Sequence, residues 1–408
     1  EPKLTYSQCY QEAAFMVRFN ISNTRLMLSA IIFFSLAIRL PALFIPHIEN
    51  DEVIYQTLAE KVSRNFNLKD YTLQGTPLIS QLPRTSYDYP VFRHPPFFIW
   101  GLALIRRLFG VKFEILLPIL AGILTILTTY LIAKRLYSPE HGIIAALIIS
   151  FCPILWLTST KIWMETTVSL LLTLTFYILL IASDKKSWFW FCLTGLTFGF
   201  SLLTKHISLG LIPAIVYYLW RQHFSFKNLI IFSSCFFIAA ALVNLPWFYY
   251  YYKIMGTIFY GNQYISTQEF MDMFPFVRMS ANRPFYYYFV TLPLIAPVYL
   301  ISWISVFNKI KQRKNLSEVV WSLSFILGFT FLIIIKYVGC NMRFIFPALP
   351  AFSILAAETI IRNKRIFYPL LIILLAYGFF TGFLNIYIFQ CADAFPATYF
   401  LSLFTSQR

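Results

Sequence analysis

Apolar runs separated by short polar segments recur along the whole chain, and most of them are long enough to cross a bilayer as a helix. Hydrocarbon cannot satisfy open backbone groups, so such runs must be helical, whereas a barrel would show alternating residues instead. The pattern therefore predicts an all-α polytopic membrane protein, a bundle of about 11 transmembrane helices. The predicted spans are 26–46, 113–133, 141–158, 165–183, 187–204, 207–220, 228–248, 286–306, 317–338, 343–361 and 366–390.

One further apolar run, 96–109, is too short to span comfortably and begins at Pro95-Pro96. Its length is typical of an interfacial helix, and its basic residues Arg106 and Arg107, with Lys112 just after it, would then lie near the lipid headgroups. If this run crossed the membrane, every later loop would change sides.

Lysine and arginine favour cytoplasmic loops, so their distribution tests the predicted order of spans and the side on which each loop lies. With 96–109 kept in the interface, basic residues concentrate in five successive inner loops, whereas the short outer loops hold little beyond Lys161, Lys205 and Arg343. The N-terminal segment 1–25 is then cytoplasmic, and the membrane domain 26–390 carries two long outer loops, 47–112 and 249–285. A short tail, 391–408, follows.

Composition agrees with this picture, since 59% of the 408 residues are hydrophobic. The net charge of +16 is explained by the inner loops, and no basic module suited to nucleic acid is present. The cysteines lack zinc-site spacing, and a bridge between Cys340 and Cys391 stays open. Function must therefore lie in the bundle and its two outer loops.

The rare charges of the outer loops all fall on one side of the predicted membrane. Charges at membrane depth are costly and usually face a cavity, so several at one face predict a site for a charged ligand. Carboxylates mixed with cations suit a phosphate-bearing donor and an acceptor that a carboxylate deprotonates. The members are Asp51, Glu52, Arg93, His94, Lys161, Glu165, Lys205, His206 and Arg343.

Ordinary structural roles for these residues also remain open. Asp51 and Glu52 would cap the helix that starts beside them, and Lys161 and Glu165, four residues apart, would form an ion pair on a helix surface. Snorkelling to the headgroups is the alternative for Lys205, Arg343 and Arg39, and Arg39 reads equally as a second phosphate ligand.

Five motifs follow one another in a familiar order, and together they resemble the GT-C membrane glycosyltransferases. The nearest branch holds the protein O-mannosyltransferases and the aminoarabinose transferase of lipid A. Each motif is weak alone, and the ordered set from about 26 to 365 carries the resemblance. The motifs are Asp51-Glu52 with Tyr55, His94-Pro95-Pro96-Phe97-Phe98-Ile99-Trp100, Leu203-Thr204-Lys205, Asn244-Leu245-Pro246-Trp247-Phe248, and Arg343-Phe344-Ile345-Phe346-Pro347-Ala348-Leu349-Pro350.

The resemblance implies transfer of a hexose or pentose, with inversion, from a polyprenyl-phosphate donor to a lipid, glycan or protein acceptor. It makes Asp51 the base or metal ligand, with Glu52 beside it, and places Glu165 at an acidic position where aspartate is commoner in the family. A divalent metal ion is the one cofactor left open. The membrane lipids are the remaining partner, and the expected location is the cell (inner) membrane with the site on its outer face.

The same resemblance places Lys205 and Arg343 at the donor phosphate. His94 stands where relatives often carry lysine, so Arg93 is expected to share its phosphate-binding task. Tyr55 and Lys161 complete the expected substrate loop. The aminoarabinose transferase has an additional C-terminal soluble domain, and the chain's early end after its last span argues against that exact activity.

Two other functions stay open at this stage. A transporter or flippase of a lipid-linked sugar would show internal repeats and helices broken at the midplane, and no clear repeat is visible. A non-catalytic assembly subunit would not need the set formed by Asp51, Lys205 and Arg343.

Overall fold

The computed structural model describes residues 21–47, 50–67, 71–73, 94–222, 225–256, 284–312, 316–334 and 341–388. All regular structure within these residues is helical, with no strand, as predicted. The α-helices are α1 (Ile21–Ala37), α2 (Asn50–Asn65), α3 (Phe97–Phe109), α4 (Leu116–Leu136), α5 (Pro139–Ser150), α6 (Pro153–Ser159), α7 (Glu165–Lys185), α8 (Trp188–Leu202), α9 (Ile212–Arg221), α10 (Phe226–Met255), α11 (Tyr287–Ile295), α12 (Val298–Gln312), α13 (Ser317–Ile334), α14 (Leu349–Arg362) and α15 (Lys364–Phe383).

Short 3₁₀ segments precede or extend several of these helices. They occur where proline or the end of a helix prevents a regular α-helix, and two of them lead directly into α9 and α14. The 3₁₀ segments are Leu40–Phe44, Val111–Phe113, His206–Leu211 and Met342–Ala348, and a π-helical turn, Leu384–Ile388, ends α15.

Within the described residues, each of the eleven predicted spans coincides with a helix or with consecutive helical segments; the ends of 317–338 and 366–390 lie outside them. By length and composition, six helices among the described residues are apolar enough to cross a membrane, and the count rises to eight if each of two bent pairs is one span. The bent pairs are α5 with α6, at 64°, and α12 with α13, at 118°. The other predicted spans correspond to the shorter helices α8, α9 and α11.

Burial separates central helices from peripheral ones. In the most apolar window of Met342–Arg362, 83% of the residues are buried, against 17% for Thr24–Phe44 and 17% for Lys364–Ile388. Helix α14 packs against α5 and α12, while α4 packs against α5 and α7. The centre of the bundle is therefore formed by α4, α7 and α14, and α1 and α15 present apolar side chains outward.

Helices α8 and α10 approach each other unusually closely. A side chain at Gly195 would begin 2.2 Å from the backbone oxygen of Phe236, and one at Gly199 would begin 2.9 Å from the Cα atom of Ala240. Small residues at a membrane helix interface permit this backbone contact. The contact fixes the position of α8, whose C-terminal end leads to Lys205.

The kink between α5 and α6 is held by Arg39, whose side chain is fully buried. Its guanidinium donates hydrogen bonds to the Ser159 hydroxyl (2.8 Å), the Ser35 carbonyl (2.9 Å) and the Ser150 carbonyl (3.3 Å). Both sequence interpretations of Arg39 are therefore wrong, because it neither snorkels to the headgroups nor faces a ligand. It satisfies a carbonyl that the helix break leaves without a helical partner.

Helix α3 is not among the helices long and apolar enough to span, and it packs against α2. Its first amide, that of Phe97, donates to the carbonyl of Leu203 at 3.1 Å, just past the end of α8. Arg106 near its other end lies 3.5 Å from Glu60 and 3.4 Å from Glu114. The predicted interfacial helix thus lies at the end of the bundle where α2 begins.

Candidate active site

Four charged side chains from four distant parts of the chain meet at one end of the bundle, and we call them the Asp51 cluster. Nη2 of Arg343 donates to Oδ2 of Asp51 at 2.5 Å, and Nε of Arg343 lies 3.8 Å from Oε1 of Glu165. Nζ of Lys205 donates to the same Glu165 oxygen at 2.8 Å. Two carboxylates and two cations therefore form one connected network.

Helix ends position each member of the Asp51 cluster. Asp51 lies in the first turn of α2, and Glu165 is the first residue of α7, so both carboxylates sit where the helix dipole favours negative charge. Lys205 follows α8, its amide bonded to the carbonyl of Ser201 at 2.9 Å. Arg343 lies in the 3₁₀ segment before α14, where its amide donates to Oδ1 of Asn341 at 2.9 Å.

Aromatic rings surround the two cations of the Asp51 cluster. The guanidinium carbon of Arg343 lies 4.4 Å from the ring centroid of Trp163, and Nζ of Lys205 lies 4.9 Å from that of Phe344. Cation–π contacts of this kind restrict where a long basic side chain can place its charge. The aromatic residues of the Arg343 motif thus line the site as well as filling the core.

Glu52, the neighbour of Asp51, has a different environment. Its side chain is 0% exposed, and its Oε1 accepts hydrogen bonds at 2.8 Å from His47 Nδ1 and at 2.8 Å from the amide of Ile162. These bonds join the start of α2 to the loop between α6 and α7. Asp51, whose side chain is 26% exposed, is the carboxylate that a substrate can reach.

The remaining predicted residues are only partly brought to the cluster. The ring of His94 makes an edge contact with that of Tyr55, at 5.1 Å, and its carbonyl accepts from the Tyr71 hydroxyl at 2.5 Å. Tyr55 itself is buried between α2 and α3. Lys161 is buried in the loop before α7, and Glu165 is the first residue of that helix. The two residues therefore do not form the predicted ion pair on the surface of one helix. Arg93 lies outside the described residues.

His206 follows Lys205 and is held in its neutral form. Burial lowers the pKa of His206 to about 4, because the charged ring would lose its hydration. Its ring stacks on that of Phe248 at 6.5 Å. At neutral pH it adds no positive charge to the cluster.

The described residues contain no group of three or more His, Cys, Asp or Glu side chains that could hold a metal ion. Asp51 is engaged with Arg343, and Glu52 with His47 and a backbone amide. The base and metal-ligand interpretations of Asp51 therefore both stay predictions, and the proposal below uses the first of them.

A second group of buried charges, the Lys309 cluster, lies at the opposite end of α14. Nζ of Lys309 donates to the hydroxyl of Tyr137 at 2.6 Å and lies 3.5 Å from both Glu318 and Glu358. Tyr137 donates in turn to Glu318 at 2.7 Å, and burial keeps its pKa well above the usual value, so the hydroxyl stays protonated. The sequence interpretation counted Lys309 as one of several inner-loop charges and did not foresee this network.

Sequence reasoning also missed His47 and Trp163, which support the Asp51 cluster. His47 stands five residues before Glu52, and Trp163 lies two residues before Glu165. An aromatic residue in a short polar loop beside two candidate charges is the signal that would have identified Trp163. His47 gave no such signal, because its pairing with Glu52 depends on the path of the chain between α1 and α2.

Comparisons with known proteins bear on this geometry. The family model for dolichyl-phosphate-mannose-protein mannosyltransferase matches residues 93–250. No curated protein sequence matches the chain at a significant level.

Solved structures extend the likeness to nearly the whole chain. ArnT from Cupriavidus metallidurans in the apo state superposes with a TM-score of 0.63 and 16% identity, covering 93% of this chain and 67% of ArnT. The same enzyme bound to undecaprenyl phosphate gives 0.58 and 15%, covering 95% and 69%. The oligosaccharyltransferase of Archaeoglobus fulgidus gives 0.57 and 14%, covering 94% of this chain and 56% of its own.

The chain therefore has the fold of ArnT and of the Archaeoglobus fulgidus oligosaccharyltransferase, as the resemblance of its motifs predicted. The identities are low, so these structures establish the architecture of the chain. The family match runs from before α3 into α10, and this segment includes Glu165 and Lys205.

Proposed function

We propose that this chain transfers a sugar from a polyprenyl-phosphate donor to an acceptor hydroxyl or amine. The observation that carries the proposal is the Asp51 cluster, which gathers two carboxylates and two cations at one end of a GT-C fold. Two similar structures support the donor class. ArnT was solved with undecaprenyl phosphate, and the Archaeoglobus fulgidus oligosaccharyltransferase, AglB, was solved with a dolichol-phosphate.

In the proposed reaction, Asp51 is the general base and Arg343 and Lys205 bind the donor phosphate. The acceptor oxygen or nitrogen attacks the anomeric carbon while the bond from that carbon to the phosphate oxygen breaks. Negative charge grows on the departing phosphate, and fixed cations stabilise it most when water is excluded. Asp51 takes the acceptor's proton, which requires a heavy-atom distance near 3 Å in the complex.

Single displacement with inversion fits this assignment, because one exposed carboxylate serves the acceptor rather than the sugar. Glu165 is 2% exposed and bonded to Lys205, which suits a residue that holds a cation in place. The resemblance groups Glu52 with the catalytic carboxylates, but its contacts suit a positioning residue that fixes α2 against the loop before α7.

The decisive experiment is incubation of the purified chain with a panel of labelled polyprenyl-phosphate sugars and candidate acceptors. Consumption of one donor with release of polyprenyl phosphate would support the proposal, and the product's anomeric configuration would report inversion. A chain that binds no member of the panel would contradict it.

We also propose that the Asp51 cluster lies on the non-cytoplasmic face, with Gln312 on the cytoplasmic side. The basis is the distribution of basic residues, together with the position of α3 beside α2. In a background free of native cysteines, Arg64→Cys should react with an impermeant thiol reagent in intact cells, because that side chain is 72% exposed. Gln312→Cys should react only after the cells are opened, and the reverse pattern would invert the topology.

A further inference from the structure

The formal charges of the Asp51 cluster sum to zero, and this matters for an anionic ligand. Asp51 and Glu165 carry two negative charges, and Lys205 and Arg343 carry two positive charges that are already paired with them. A phosphodiester that reaches Lys205 or Arg343 therefore meets a cation that already has a carboxylate partner. To bind the phosphate directly, that cation must exchange its carboxylate for the ligand.

Exposure and geometry indicate which pair exchanges. Glu165 is only 2% exposed and holds Lys205 at 2.8 Å, so that pair is shielded on its carboxylate side. Asp51 is 26% exposed and Arg343 14%, so both partners of this pair are accessible from outside. A guanidinium also binds phosphate through two parallel N–H groups, which a lysine cannot do.

The consequence for catalysis concerns the other half of the broken pair. While Arg343 donates to Asp51 at 2.5 Å, that oxygen is occupied by a charge-assisted hydrogen bond. A carboxylate oxygen held in this way is a poor proton acceptor. When Arg343 turns to a phosphate, the oxygen becomes available for the acceptor's proton.

We propose that the Asp51–Arg343 ion pair is an autoinhibitory contact, and that the donor's phosphate releases Asp51 as a base by taking Arg343. This inference rests on the proposed function and adds a binding order, with the donor before productive acceptor. The reaction then proceeds with its atoms balanced. The new bond joins the acceptor to the anomeric carbon, the phosphate leaves with the electrons of the broken bond, and the proton moves to Asp51.

The test is the binding of undecaprenyl phosphate to the full chain in nanodiscs, measured as a Kd for the wild type and for three variants. Asp51→Asn should lose turnover yet bind the lipid phosphate roughly tenfold more tightly, equivalent to about 1.4 kcal/mol, because Arg343 no longer has to leave a carboxylate. Arg343→Ala should bind more weakly. In the double variant Asp51→Asn/Arg343→Ala, the tighter lipid binding expected for Asp51→Asn should disappear.

A matched control separates this effect from a general change of charge. Asp184→Asn removes one carboxylate from an exposed pair with Arg135 at the far end of the bundle, and its Kd should equal that of the wild type. If the gain from Asp51→Asn persists when Arg343 is absent, it reflects the overall field and the inference is wrong. An unchanged or weaker Kd for Asp51→Asn also overturns it.

A second measurement needs no variant. Labelling of Asp51 by a water-soluble carbodiimide, followed by mass spectrometry, should increase in the wild type when undecaprenyl phosphate is added. Equal or decreased labelling would contradict the release of Asp51. If the wild type binds neither undecaprenyl phosphate nor dolichyl phosphate, the proposed function fails, and this inference fails with it.

Discussion

The Asp51 cluster and the Lys309 cluster contain the same kinds of side chain at opposite ends of α14, yet they differ in exposure. Lys309 is 5% exposed, whereas Lys205 is 26% exposed. Each cluster has one buried carboxylate, Glu318 or Glu165, both 2% exposed, and one partly exposed carboxylate, Glu358 at 24% or Asp51 at 26%. In the Lys309 cluster, the Tyr137 hydroxyl joins Lys309 to Glu318 through two hydrogen bonds. Buried charges that are paired and hydrogen-bonded in this way hold helices together, and exposed ones can exchange partners.

The comparison shows that residue type alone does not distinguish a substrate-binding site from a network of ion pairs that stabilises the fold. Both clusters lie at helix ends, and both connect segments far apart in the sequence. What separates them is access to the cations: Lys309 is 5% exposed, whereas Lys205 is 26% and Arg343 14% exposed. Corresponding substitutions should therefore lower activity when made in the Asp51 cluster and lower stability when made in the Lys309 cluster.

The largest expected effect is on turnover. Asp51→Asn should reduce kcat by about 10²–10⁴-fold, the usual contribution of a general base, while thermal stability changes little. Glu318→Gln removes the corresponding charge from the Lys309 cluster and should leave the kcat of the folded protein near that of the wild type. Equal kcat values for Asp51→Asn and the wild type would make Asp51 a cap of α2 only.

The next effect is on stability. Lys309→Ala should destabilise the protein by about 3–5 kcal/mol, because it leaves the buried carboxylate of Glu318 and the partly exposed carboxylate of Glu358 without their cation. Thermal unfolding in detergent, followed for both variants, should show a larger loss for Lys309→Ala than for Lys205→Ala. A larger loss of melting temperature for Lys205→Ala would mean that the Asp51 cluster contributes more to stability than the Lys309 cluster.

A smaller effect separates the two substrates. Lys205→Ala should raise the KM for the donor about ten- to hundredfold, the value of a lost charge-assisted hydrogen bond, with little change in the KM for the acceptor. Steady-state kinetics with each substrate varied in turn gives the comparison. A change limited to the acceptor would remove Lys205 from the phosphate site.

The smallest effect is a pH dependence of stability from His206. Its folded pKa of about 4 lies below its ordinary value of 6.5, so between these values the unfolded chain binds more protons. The contribution is complete above about pH 6.5 and is lost as the pH falls toward 4. His206→Phe should show a smaller fall in melting temperature between pH 7 and pH 5 than the wild type; an identical fall would assign the dependence to other groups.

The helices and the ends at which the charges gather were predictable, because apolar length and basic-residue bias are properties of local sequence. The pairing within the site was not. Asp51 and Glu52 are neighbours in the first turn of α2, and one faces Arg343 while the other faces His47. The direction of each depends on how α2 packs against the loop before α7, and no local pattern encodes that contact.

Arg39 and Lys309 are two further residues whose contacts could not be predicted from the local sequence. Both were interpreted from their position relative to a bilayer, as charges that reach the headgroups or a loop. Each is in fact buried against partners more than 100 residues away, in one case Ser159, 120 residues later, and in the other Tyr137, 172 residues earlier. Hydropathy describes the solvent that a segment meets and carries no information about such partners.

The position of Arg39 also affects how the chain is made. Its two distant partners lie 111 and 120 residues later, so at about 5–20 residues per second they leave the ribosome roughly 6 to 24 seconds after the first helix. During that interval only the local Ser35 carbonyl is available to the guanidinium. An arginine exposed to lipid costs about 2.5–3.5 kcal/mol at a helix centre and less near an end. The first helix therefore has to wait in the membrane, or beside the insertion machinery, until α5 and α6 arrive to enclose its charge.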